Sequence, residues 1–181
     1  FCFIITPVFA LLAERWHRPH DIRLKKWVLF FGAVIFTHVF IDAFNNYGVG
    51  WFEPFSHKRF SLNAIYVADP FFSIWPAIAF VALIYLKRRS PKRRAWWRMG
   101  LGISALYLMY CLFNKAGMDK DVKDILQKQQ ISYTRYFSTP APLQNWLWYV
   151  VAGNDSGYYV GFRSRFDSKA EINFQYFPRN D

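Results

Sequence analysis

Four residues close to the end of one apolar run are of kinds that hold metal ions or move protons: His38, Asp42, Asn45 and Asn46, within THVFIDAFNNYG (37–48). In a helix, side chains four residues apart share a face. His38 and Asp42 therefore stack one turn above the other, and the two asparagines continue that face to the helix end. Val39, Phe40, Ile41, Ala43 and Phe44 around them are apolar. An Asp inside a membrane span costs roughly 2.5 to 3.5 kcal/mol at the helix centre, and such groups persist where they face a bundle interior or a hydrated cavity. The H-x3-D spacing admits two chemistries: two metal ligands on adjacent turns, or a carboxylate that orients the imidazole from behind. A third account needs no reaction, only a polar bridge that ties helices together. Further along, Asp69 precedes Pro70 and either joins a metal or caps the helix that Pro70 opens. Asn45 and Gly48 have the character of a helix stop and a turn. His57 has no partner at a suggestive spacing.

The elements that position these residues follow from composition and charge. The 181 residues are 54% hydrophobic and 22% aromatic, with 19% charged, a blend of membrane-facing and water-facing protein. Apolar segments run over 1–13, 27–44, 68–86 and 96–113; the last three hold 18, 19 and 18 residues, near the ~20 that span a bilayer. The first would cover only ~20 Å of a ~30 Å hydrocarbon core. Because the chain opens on FCFIITPVFALLA without Met, we expect a cut N-terminus. Arg15, Arg18, Arg23, Lys25 and Lys26 fill the first connection, and Lys87, Arg88, Arg89, Lys92, Arg93 and Arg94 fill the third. Basic loops stay in the cytoplasm, so 14–26 and 87–95 are expected inside, with Ser56 and the tail from Asn114 outside. Topology and anionic lipid absorb much of the net charge of +11. Nucleic acid is not expected as a partner, because the basic runs border apolar spans and form no folded basic face.

The tail has another pattern. Residues 118–130 predict a short amphipathic helix with Val122, Ile125 and Leu126 on one side. ISYTRYF, WLWYVVA, YYVGFRSRF and INFQYF are rich in β-branched and aromatic residues and predict strands. Gly153-Asn154-Asp155-Ser156-Gly157 predicts the turn of a hairpin around 146–166. The expected fold is mainly α, with polytopic membrane helices over 1–113, the first of them truncated. A small C-terminal α+β domain with an antiparallel sheet follows over 114–181.

Other chemistries lack their signatures. The sequence has no P-loop, no Rossmann glycine pattern and no G-x-S-x-G elbow. Cys2 and Cys111 lie in apolar segments without CxxC spacing and have the character of packing residues.

In order, the chain carries H-x3-D-x2-N-x2-G (His38, Asp42, Asn45, Gly48), P-F-S-x2-R (Pro54, Phe55, Ser56, Arg59), D-P (Asp69, Pro70) and TPAPLQNWLWYVVAGNDSGYYVGF. Over most of the chain this succession resembles the bacterial membrane-bound metal-dependent hydrolases, also described as LexA-binding inner-membrane hydrolase-like proteins. More distantly it is similar to zinc-dependent phospholipases C and single-strand nucleases. The resemblance implies a multi-pass inner-membrane enzyme with an extracytoplasmic C-terminal domain, acting on a phosphoester or other anionic substrate near the bilayer. It implies a divalent metal, zinc or, where oxygen ligands dominate, manganese. His38, Asp42 and Asp69 would be ligands, and Arg59, Ser56 and Asn45 would face the substrate. The planar guanidinium of Arg59 suits a two-point grip on an anion, and equally an anchor at the membrane interface. The family's early Asp-rich segment and H-R-G-x-T-H-S motif are not in this sequence, and His17-Arg18-Pro19-His20-Asp21 lacks the Gly and the Thr-His pair. The chain is thus expected to carry half of such a metal site. The competing expectation is a non-catalytic membrane adaptor that uses the polar stripe for helix or partner contacts.

Overall fold

The computed structural model describes residues 2–17, 22–168 and 171–179. Four helices, α1 (Cys2–Trp16), α2 (Leu24–Asp42), α3 (Pro70–Tyr85) and α4 (Lys92–Lys128), precede four strands. The strands are β1 (Arg135–Pro140), β2 (Leu147–Gly153), β3 (Gly157–Ser164) and β4 (Gln175–Pro178). The chain divides into two compact units, Phe1–Leu62 and Asn63–Asp181.

In the first unit α1 packs on α2 through aromatic rings. Phe9 stacks on Phe31 at 5.8 Å, and Trp27 stacks on Phe31 at 6.0 Å. Ala10 is fully buried, and the Thr6 methyl lies beside Gly32 with room for a Cβ at ordinary contact distance, 3.6 Å. No residue of α2 is buried. Its apolar side chains remain open to a hydrophobic medium, as in a helix that lies in lipid. A loop follows α2 and is closed by a two-way backbone bridge between Val49 and Phe60.

In the second unit α3 and α4 run in opposite directions. Gly100 faces Ala79, Ser104 donates to the Phe72 carbonyl at 2.7 Å, and Tyr107 donates to Asp69 at 2.9 Å. A Cβ at Gly100 would sit 2.5 Å from that of Ala79, so the close approach depends on the missing side chain. Past residue 113, α4 continues without a break and buries Met118, Val122, Ile125 and Leu126. These residues meet Trp148, Val150, Ala152 and Ile172 in the core of the unit. Burying each aliphatic side chain contributes about 1.5–3 kcal/mol. The sheet has the order β1-β2-β3-β4, all antiparallel. Ser138 pairs with Val150 and Pro140 with Trp148, which brings the buried positions of both strands onto one face. Asn154 makes the β2–β3 turn: its side-chain oxygen accepts from the amides of Ser156 and Gly157, each at 3.0 Å.

The small antiparallel sheet with a helix on it fits the expected α+β part, and the short helix expected over 118–130 is the end of α4. The polytopic bundle with three complete spans is overturned. Among the described residues one helix, α2, is long and apolar enough to cross a membrane. Asp69 caps α3 at Pro70 and the chain leaves the helix at Leu86, which gives 16 residues. At 1.5 Å per residue that is ~24 Å, short of a ~30 Å hydrocarbon core. The apolar run 96–113 lies within a 37-residue helix with Lys92, Arg93 and Arg94 before it and a polar stretch from Asn114 after it. The multi-pass arrangement falls with the span count. The inside and outside assignments of 87–95 and of the tail counted on those crossings and lose that support. Arg18, Pro19, His20 and Asp21 lie outside the described residues.

Candidate functional site

The end of α2 brings three of the expected site residues together. The His38 Nε2 lies 3.4 Å from Asp42 Oδ2, with the side chains 77% and 36% exposed. Asn45, itself buried, donates from Nδ2 to Asp42 Oδ1 at 3.2 Å. The two carboxylate oxygens are thus divided, one held by the asparagine and the other turned to the imidazole. The Oδ1 of Asn45 accepts from the backbone of Tyr47 at 2.9 Å and Gly48 at 3.2 Å, and its carbonyl accepts from the Ser61 hydroxyl. The Asn45 side chain therefore fixes Asp42 and shapes the turn after the helix, while its backbone carbonyl fastens the returning loop.

Gly48 makes that turn at φ +65, in the left-handed region that disfavours side chains. A Cβ there would lie 2.7 Å from the Phe60 carbonyl oxygen, against the Val49–Phe60 bridge. Gly48→Ala is expected to cost the loop about 1–2 kcal/mol for the left-handed backbone alone. Hydrogen exchange at the Val49 and Phe60 amides should accelerate by about 5- to 30-fold; unchanged exchange would contradict a strained turn.

An N–O separation of 3.4 Å exceeds the usual ~2.7–3.2 Å of a hydrogen bond. It matches the ~3.3 Å between two ligands on a tetrahedral ion with bonds of ~2.0–2.1 Å. Imidazole and carboxylate are also donor types that suit zinc. Among the described residues no group of three or more His, Cys, Asp or Glu is placed to hold an ion. The pair by itself would supply two positions of a coordination sphere.

Ser56 and Arg59 lie on the loop that follows α2. Ser56 accepts from the Lys58 amide at 3.3 Å, and Arg59 is exposed on the closed loop. Among the described residues no hydrogen bond or ion pair joins either to His38 or Asp42. Asp69 belongs to the second unit and is 1% exposed. Its Oδ1 accepts from the amides of Phe71 at 2.9 Å and Phe72 at 3.3 Å, and its Oδ2 from Tyr107. This is a helix cap strengthened by a phenol, with both oxygens engaged.

A second polar cluster escaped the sequence reading. The Lys115 ammonium donates to Asp119 at 2.9 Å and to the hydroxyl of Ser138 at 2.6 Å. Ser138 and Tyr136 donate to the same Asp119 oxygen at 2.5 and 2.9 Å. Burial pushes the lysine below its ordinary value, with the bond to Asp119 opposing it, and burial pushes the Tyr136 hydroxyl up. Lys115 and Asp119 are four apart, the same spacing as His38 and Asp42, and that spacing was the available signal. With Ser138 1% exposed, the cluster ties β1 to α4.

Comparison with curated proteins and with solved structures gives no match. The family described as YdjM inner membrane protein matches residues 1–118, which take in the His38–Asp42 pair, its loop, α3 and most of α4. A match over that much of a 181-residue chain places it at the inner membrane: the protein belongs to the YdjM inner membrane protein family.

Proposed function

We propose that this inner-membrane protein is a metal-dependent hydrolase of an anionic substrate, a phosphoester by preference, with His38 and Asp42 as two of the metal ligands. The observation that supports this reading is the 3.4 Å separation of the two donor atoms, with Asn45 holding the carboxylate from its other oxygen. A bound divalent ion supplies Lewis acidity and a nucleophile at neutral pH. The part of this chain is to hold and aim. Asn45 keeps Asp42 from rotating, and Arg59, at the surface of the loop, offers the substrate a planar pair of donors. The adaptor reading is favoured by a different observation, the absence of any buried residue on α2, whose face away from α1 is left for a partner.

Metal analysis and melting of the full-length protein separate the two. The hydrolase reading expects about one equivalent of zinc or manganese in the wild type. His38→Ala and Asp42→Ala should each lose it, and affinity should fall as acid supplies protons that compete for the imidazole. Melting of the metal-free protein should be unchanged in His38→Ala, because a side chain 77% exposed carries little stability. Unchanged metal content with a lowered melting point would sink the assignment and favour the adaptor.

A further inference from the structure

From the turn between α3 and α4 we infer a docking surface for anionic phospholipid headgroups, an inference independent of the metal reading. Lys87-Arg88-Arg89-Ser90-Pro91-Lys92-Arg93-Arg94-Ala95-Trp96-Trp97-Arg98 holds seven basic residues and no acidic one. The structure spends one of the seven on the fold. Arg93 is half-buried and donates to the carbonyls of Leu83 at 2.6 Å and Leu86 at 2.8 Å, closing the C-terminal end of α3. The turn is further tightened by the Ser90 amide on Lys87 O at 2.9 Å and the Arg93 amide on Ser90 O at 3.2 Å. Lys87, Arg88, Arg89, Lys92, Arg94 and Arg98 are all exposed, on a backbone that this bonding holds in one shape. Arg88, Ser90, Pro91, Arg93, Arg94 and Trp97 line a shallow concavity of about 680 Å³.

Charge alone would suit nucleic acid or lipid, and the neighbouring residues decide between them. Immediately beside the cations stand Ile84 at 63% exposure, Tyr85 at 84% and Trp97 at 47%. An apolar and aromatic rim directly below a cationic turn matches the boundary between headgroups and acyl chains, where Trp and Tyr concentrate. A nucleic-acid surface would instead show a broad basic face. The occupant is therefore a phosphate-bearing lipid surface. Arg88 and Arg94 meet phosphates at the concavity, Tyr85 and Trp97 enter the interfacial layer, and Arg93 keeps the turn in shape.

The test uses the full chain in a neutral detergent, with phosphatidylglycerol or phosphatidylcholine titrated in and bound lipid counted by native mass spectrometry. Phosphatidylglycerol should be retained more than about 25-fold more tightly, with the preference shrinking as salt rises. Arg88→Gln with Arg94→Gln should weaken it about 25-fold, at roughly fivefold per cation. Neutralising all six exposed cations should erase the preference while leaving melting intact, since Arg93 is kept. Equal retention of the two lipids would overturn the inference, and so would a preference that survives the six replacements. A single-stranded oligonucleotide that displaces the lipid at equal concentration would overturn it in favour of nucleic acid.

Discussion

Replacing Trp148 by alanine is expected to lower the stability of the second unit by about 3–5 kcal/mol. The side chain is fully buried and stands at the centre of the cluster that joins α4 to the sheet, with Val122 and Leu126 also at 0% exposure. Its Nε1 donates to the Asn145 carbonyl at 3.2 Å, and the Lys115 ammonium lies 5.7 Å from a ring centroid. The substitution therefore opens a cavity, takes one of two donors from a carbonyl that Asn114 Nδ2 also reaches, and removes a cation–π contact together. A domain holds only about 5–15 kcal/mol in all, so much of the margin goes. Denaturant titration followed by near-ultraviolet circular dichroism measures it. Trp148→Phe should recover part of the loss, because the smaller ring refills much of the cavity but leaves a residual void and no ring donor for the Asn145 carbonyl. A midpoint that does not move in Trp148→Ala would mean that the sheet does not depend on this core.

The second large effect is expected at Asp119. One oxygen of its carboxylate receives Lys115, Tyr136 and Ser138. Asp119→Ala leaves the ammonium with only the Ser138 oxygens and deprives two hydroxyls of their acceptor, at a cost of about 3 kcal/mol. Lys115→Met combined with Asp119→Leu should restore much of it, since an apolar pair of similar volume leaves no unpaired charge. The pH dependence has a definite sign. Burial holds the Lys115 ammonium below its ordinary value of 10.5, so the unfolded chain binds more protons than the folded one in the window just beneath that value. Lys115's contribution to stability therefore rises with pH across the window. Without Asp119, whose bond raises the lysine, the window widens downward. Stability of Asp119→Ala measured from about pH 7 to 10 should climb more steeply than that of the wild type; parallel curves would contradict a buried ammonium here.

What could be read from the sequence were features that depend on neighbours in the chain. The β-rich runs became β1 to β4 because alternation and the GNDSG turn are local signals. Asp69 before Pro70 showed its cap for the same reason. His38 and Asp42 share a face as their spacing requires, the helix ends at Asp42, and Asn45 shapes the turn that follows. The number of spans was misjudged because hydropathy measures a run of residues, whereas a span is measured in helix that is continuous and free of charge. Pro70 and Leu86 cut α3 short, and α4 extends its apolar stretch into polar helix. The Lys115 cluster stayed hidden because two of its members, Tyr136 and Ser138, come from a strand about 20 residues further on. Only tertiary packing brings them to the lysine.

The unbroken run of α4 from Lys92 to Lys128 also has a mechanical meaning. A helix of 37 residues is a stiff strut of ~55 Å, and one end carries the cationic turn while the other is built into the sheet core. Tilting such a strut by about 10° moves its far end by about 10 Å. The helix therefore holds the cationic turn and the sheet core at a fixed separation, with no break in it to act as a hinge.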